Sequence, residues 1–78
     1  MVNLKLSGPF AKCMKEQNTE GFWVVDAAGQ TVEAFLQTTE VKDHYMNYGV
    51  VVNGKTKQKT YVMQDDDTIK VIPLFAAG

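Results

Sequence analysis

Apolar and polar side chains alternate from the second residue: Val2, Leu4 and Leu6 against Asn3, Lys5 and Ser7. A period of two predicts a half-buried strand over residues 2–7. Gly8-Pro9 ends it, because proline offers no amide to a ladder and glycine supplies the bend. Residues 10–21 read as a polar connection anchored by Phe10 and Met14. The β-branched and aromatic run FWVVD, residues 22–26, predicts a second strand, and AAGQ after it a turn.

At TVEAFLQTTEV the period changes. Val32, Phe35, Leu36 and Thr39 stand at i, i+3, i+4 and i+7, a single stripe on a helix. Thr31 is in the N-cap position, and Glu33 suits the positive end of the helix dipole. A helix of about three turns is expected, too short to stand without packing on a sheet. Residues 41–47 form a loop carrying His44 and Tyr45, and YGVVV, residues 48–52, predicts a third strand. Asn53-Gly54 is a hairpin turn signal. A weaker strand is expected near residues 59–63, an acidic turn at 64–67, and a last strand over TIKVIPL, residues 68–74.

The fold class this order predicts is α+β. If the first strand pairs in parallel with the last at the centre, the result is a β-grasp (ubiquitin-like) arrangement. It has a mixed four- to five-stranded sheet with one main helix packed on one face, the most economical cover for so many short strands. Residues 1–78 then form one domain with a flexible tail at 74–78.

Composition narrows the function classes. Seventy-eight residues allow one core and no second module. The apolar runs are far below the roughly 20 residues that span a bilayer, so no membrane partner is expected. MVNLKLSG lacks the features of a secretory signal, which makes the cytoplasm the expected location. The net charge of −1 and the absence of arginine argue against a nucleic-acid partner. Lys55, Lys57 and Lys59 form the one basic cluster, with the spacing of a solvated strand face. With one cysteine (Cys13), one histidine (His44) and one serine (Ser7), only a Cys13–His44 or Ser7–His44 dyad is available. Neither sits in a strand-turn-helix nucleophile setting, so a self-sufficient enzyme is not expected.

Three segments carry a family resemblance: QTVEAFL at residues 30–36, VVVNG at residues 50–54, and the ending DDDTIKVIPLFAAG from Asp65 to Gly78. In order and spacing they resemble the ubiquitin-like sulfur carriers, the MoaD/ThiS family of the molybdopterin synthase small subunit and the thiamine-biosynthesis sulfur carrier. The resemblance spans essentially the whole chain, and Pro73 is more similar to the molybdopterin branch. Two positions differ: Asp66 stands where the family has glycine, and Ala77 replaces the first glycine of its Gly-Gly ending.

The resemblance implies that the Gly78 carboxylate is adenylated and converted to a thiocarboxylate for sulfur transfer, with molybdopterin-type cofactor synthesis as the destination. The implied partners are an ATP-dependent adenylating enzyme, a sulfur donor protein and the molybdopterin synthase large subunit. ATP belongs to the activating partner, and the chain itself holds no cofactor or metal. Glycine leaves an acyl carbon unshielded. Ala76 and Ala77 keep the tail thin, and Pro73 is expected to release it from the sheet. Leu74 and Phe75 are either partner anchors or core residues. Trp23, Val25 and Ile72 are expected on the sheet face away from the helix, as an apolar docking patch or as core. Cys13 near the tail would suit sulfur relay, although a lone cysteine is more often inert. The Asp65–Asp66–Asp67 run lacks the ligand spacing of a calcium loop and reads as a solvated turn. The alternatives are a carrier for thiamine or tRNA thiolation, and a non-covalent ubiquitin-like binding module.

Overall fold

The computed structural model describes residues 1–43 and 47–74. Five strands form one mixed sheet: β1 (Val2–Leu6), β2 (Trp23–Val25), β3 (Asn47–Val52), β4 (Lys55–Lys57) and β5 (Thr68–Leu74). Their spatial order is β2-β1-β5-β3-β4. β1 and β5 run parallel at the centre, Asn3 opposite Thr68 and Leu6 opposite Val71. The other three pairings are antiparallel. The architecture is therefore α+β, with the first and last described strands as central neighbours.

The alternation written in β1 and β5 decides which face is covered. Val2, Leu4, Leu6, Ile69 and Val71 are buried, and with Val50 and Val52 of β3 they form the sheet's contribution to the core. Val32 and Leu36 close it from above, with Phe10, Cys13, Val41 and Met63 filling the ends. Phe10 and Met14 do anchor the first connection: Phe10 is fully buried and meets the Tyr48 ring edge-on at 6.2 Å. A 3₁₀ helix, Gly8–Cys13, leads into that connection.

The helix, α1, spans only Val32–Leu36. Thr31 caps it as expected, its hydroxyl accepting from the Ala34 amide at 3.1 Å. Its end comes early because the threonines turn back on it. The hydroxyls of Thr38 and Thr39 donate to the carbonyls of Phe35 and Leu36, and their amides bond to those same carbonyls. These i→i−3 bonds replace the helical i→i−4 ladder, and a 3₁₀ turn at Glu40–Asp43 follows. Among the described residues the sheet's cover is thus one short α-helix and two 3₁₀ segments, not a three-turn helix.

The fourth strand also differs from expectation. It begins directly after the hairpin turn, at Lys55, where Asn53 (φ 50°) and Gly54 (φ 85°) both take the left-handed conformation of a tight primed turn. Residues 59–63 make a single bridge, Thr31 to Val62. Their carbonyls serve the helix instead: Tyr61 accepts from the Val32 amide and Lys59 from the Glu33 amide, each at 3.0 Å. Two amides that a helix start leaves without internal partners are satisfied this way.

Candidate functional site

β5 carries Ile72 and Leu74, two of the sequence-predicted site residues. It is held on both sides, by β1 over Thr68 to Val71 and by β3 over Ile69 to Leu74. Leu74 is the last residue of this strand, opposite Asn47, so it is not the first residue of a tail. Pro73 likewise lies inside the strand, buried and opposite Tyr48. It costs no ladder bond there. Asp67 and Val71 carbonyls face β1, accepting from Asn3 and Ser7. Alternation therefore turns the ring nitrogen of Pro73 to the same side, where β1 has already ended. The chain bends away at Gly8 (φ 59°), and a Cβ on that glycine would lie 3.0 Å from the Pro73 ring. Proline thus ends the β1 side of the ladder while the β3 side continues. Phe75, Ala76, Ala77 and Gly78 lie outside the described residues, as does His44.

Register corrects the expected docking patch. Val25 pairs with Val2 and Trp23 with Leu4, and opposed residues in a sheet share a face. Trp23 and Val25 therefore lie on the helix side. The Trp23 ring packs on Phe35 of α1 at 5.9 Å between centroids, and Val25 is buried. Ile72 is on the opposite face, 40% exposed, with Leu74 beside it at 49%. Gly49, opposite Ile72, has no side chain, and a Cβ added there would meet the Leu74 side chain at 3.7 Å. Val24, also on this face, is 40% exposed. The open sheet face thus gathers Ile72, Leu74 and Val24, and leaves Trp23 out.

Two lysines stand on the same face. Lys5 and Lys70 are directly opposed across the parallel pair of central strands, and both are exposed. The Lys5 ammonium lies 5.7 Å from the centre of the Phe22 ring. Of the other lysines, Lys55 and Lys57 are exposed on edge strand β4, where charges discourage pairing with another chain. Lys59 stands over the Tyr48 ring at 4.4 Å and bonds the Asn47 side chain. Glu33, Tyr48, Lys57 and Lys59 line an open groove of about 410 Å³. Burial, and the Glu33 carboxylate beyond it, pushes the Tyr48 phenol up.

Among the described residues the reactive groups are not gathered in one place. Cys13 is 2% exposed in the core. Burial pushes its thiol up, and Glu40 adds to the shift, so the nucleophilic thiolate is disfavoured. Among the described residues no group of three His, Cys, Asp or Glu side chains could hold a metal ion. Nor, among them, is any helix long and apolar enough to cross a membrane.

The acidic turn is structural rather than merely solvated. Asp67 is buried, and its carboxylate accepts from Tyr61 Oη at 2.7 Å, Asn53 Nδ2 at 2.9 Å and the Gln64 amide at 2.9 Å. Burial opposes its ionisation, but these three donors outweigh burial and hold the carboxyl below its usual range. Asn53 Oδ1 accepts the Thr68 amide at 2.9 Å, which ties the hairpin turn to the start of β5. Asp66 has φ 68°, a left-handed backbone that glycine adopts most easily. Asp65 accepts from the Met1 amine, while the Asp66 amide donates to the Met1 carbonyl at 2.7 Å. No model of a known protein family matches this sequence, and no curated protein matches it.

Proposed function

We propose that this chain is a β-grasp, ubiquitin-like sulfur carrier of the cytoplasm whose reacting residue is Gly78. The observation that best supports the reading is the parallel pairing of β1 with β5 at the centre of the sheet. It is the arrangement that the β-grasp expectation required, and it makes β5 a rigid base for the residues after Leu74. The burial of Cys13 adds support, because it disfavours a nucleophilic role for that thiol.

In the proposed reaction the Gly78 carboxylate attacks the α-phosphate of ATP on an adenylating enzyme and releases pyrophosphate. A persulfide of a donor protein then attacks the acyl carbon and AMP departs. A second thiol of the partner cleaves the resulting acyl disulfide and leaves the thiocarboxylate on Gly78. The carrier contributes only the acyl carbon and a surface by which it is held. The destination proposed is molybdopterin-type cofactor synthesis, with the molybdopterin synthase large subunit as acceptor. Ala77 adds one methyl group next to the reacting residue, so activation is expected to be slower than for an Ala77→Gly variant.

The test is intact-mass analysis after incubation with ATP, a cognate adenylating enzyme and a sulfur donor. The expected product has one oxygen replaced by sulfur at Gly78. An unchanged mass with an enzyme that thiolates a control carrier would overturn the proposal. A second reading, a non-covalent binding module, is favoured by the exposure of Ile72 and Leu74. It predicts that partner binding survives removal of residues 75–78.

A further inference from the structure

The open face of the sheet carries an arrangement that the isolated domain does not resolve. Lys5 and Lys70 are opposed on adjacent central strands, and like charges so placed are destabilising. Among the described residues no salt bridge involves either of them. They are exposed, and apolar side chains flank them on this face: Phe22 and Val24 on one side, Ile72 and Leu74 on the other. Ile72, Leu74 and Val24 each leave two-fifths or more of their surface in water. Alternation assigns no carboxylate to this face on any of the five strands: the outward positions are Asn3, Lys5, Val24, Thr68, Lys70, Ile72, Leu74, and on β3 and β4 Asn47, Gly49, Val51 and Thr56.

We propose that this face docks a protein partner presenting an apolar ridge bordered by carboxylates. The ridge covers Ile72 and Leu74, and the carboxylates answer the Lys5–Lys70 pair. Charge complementarity selects this occupant. A purely apolar partner would desolvate two like charges without a counter-ion, and a basic partner would add a third. A second copy of this chain would bring Lys5 and Lys70 against their own kind, since a two-fold interface repeats the same patch. The inference rests on the carrier reading for what the partner is, and on the face alone for its chemistry. Mass analysis at Gly78 tests the first, and the titration below tests the second.

The experiment follows backbone amide signals of the full chain during titration with three synthetic helical peptides. All three share one leucine stripe, bordered by glutamate, glutamine or lysine. The glutamate peptide is expected to shift the amides of Lys5, Lys70, Ile72 and Leu74, and to bind more weakly as salt rises. A Lys5→Glu/Lys70→Glu chain should bind that peptide at least about tenfold more weakly and take up the lysine peptide instead. This reversal keeps a like-charge pair in place, so the fold is perturbed little, and an unchanged melting temperature verifies that. Four outcomes overturn the proposal: no binding of the glutamate peptide, equal binding of the glutamine peptide, shifts confined to other surfaces, or a dimer in sedimentation that Ile72→Glu dissociates. Stronger retention on anionic phospholipid vesicles than on the glutamate peptide would also overturn it.

Discussion

The phenol of Tyr61 donates a 2.7 Å hydrogen bond to the buried carboxylate of Asp67, six residues further along the chain. That bond joins the segment capping α1 to the turn entering β5, so its loss is felt on both sides of the domain. Tyr61→Phe removes one of three donors to a buried charge and is expected to cost about 1.5–3 kcal/mol. Denaturant unfolding measures the loss.

The same pair sets how stability responds to pH. The Asp67 carboxyl lies below its usual range when folded, so its contribution is complete above the ordinary aspartate pKa of about 3.9 and disappears as pH falls through the folded value. The Tyr61 phenol is shifted the other way, chiefly by its hydrogen bond to Asp67 and then by burial. Its contribution is present below the ordinary tyrosine value of about 10 and is lost as pH rises through the folded one. Tyr61→Phe should therefore move the acid unfolding midpoint to higher pH, because Asp67 then ionises less readily. Circular dichroism against pH detects this, and an unmoved midpoint would show that the other two donors suffice.

Much of this fold was legible from alternation alone. In β1 and β5 apolar and polar residues take turns, so the inward set, Val2, Leu4, Leu6, Ile69 and Val71, can be read directly. In β2 they do not: Trp23, Val24 and Val25 are all apolar, and a one-residue change of register moves Trp23 from one face to the other. The partner strand decides, and Leu4 opposite Trp23 puts the indole on the helix side. Lys55–Lys57 carries no apolar residue at all, and its pairing comes from the geometry of Asn53-Gly54. A two-residue turn requires a strand immediately after it, and that signal was the one to follow. The buried role of Asp67 was illegible for a different reason. An aspartate in an acidic run looks solvated until Tyr61 and Asn53 are brought to it.

The placement of Trp23 leads to a prediction that separates packing from docking. Trp23→Ala removes the half-buried indole from Phe35 and should destabilise the domain by about 2–3 kcal/mol, below the cost for a fully buried tryptophan. At temperatures where the variant stays folded, binding at the Ile72–Leu74 face should be unaffected. Thermal unfolding and the peptide titration report the two quantities separately. A stable variant that no longer binds would return Trp23 to the docking surface.

Two glycines beside the end of β5 should respond in opposite ways to alanine. Gly8 takes φ 59° and its new methyl would meet the Pro73 ring at 3.0 Å, so Gly8→Ala carries both backbone strain and a clash. A loss of about 1–2 kcal/mol is expected from the left-handed backbone alone. Gly49 has an ordinary backbone, and a methyl there would sit 3.7 Å from Leu74, a normal contact. Gly49→Ala should therefore gain up to about 1 kcal/mol, because glycine inside a strand is costly. Chemical denaturation of both variants checks the signs.

Reversing one charge of the opposed lysines should stabilise the free domain. Lys70→Glu turns a repulsive cross-strand pair into an attractive one with Lys5, a gain of about 0.2–1 kcal/mol. For a domain of this size that raises Tm by up to about 8 °C. The gain should shrink in 1 M salt, where the screening length falls to about 3 Å. Lys5→Glu/Lys70→Glu restores like charges, so the cycle of single and double variants isolates the pair from separate effects such as the contact of Lys5 with Phe22. If Lys70→Glu leaves Tm unchanged at low salt, water already screens the two ammonium groups. Their opposition would then cost the isolated domain nothing, and the case for a carboxylate-bearing partner would rest on the titration alone.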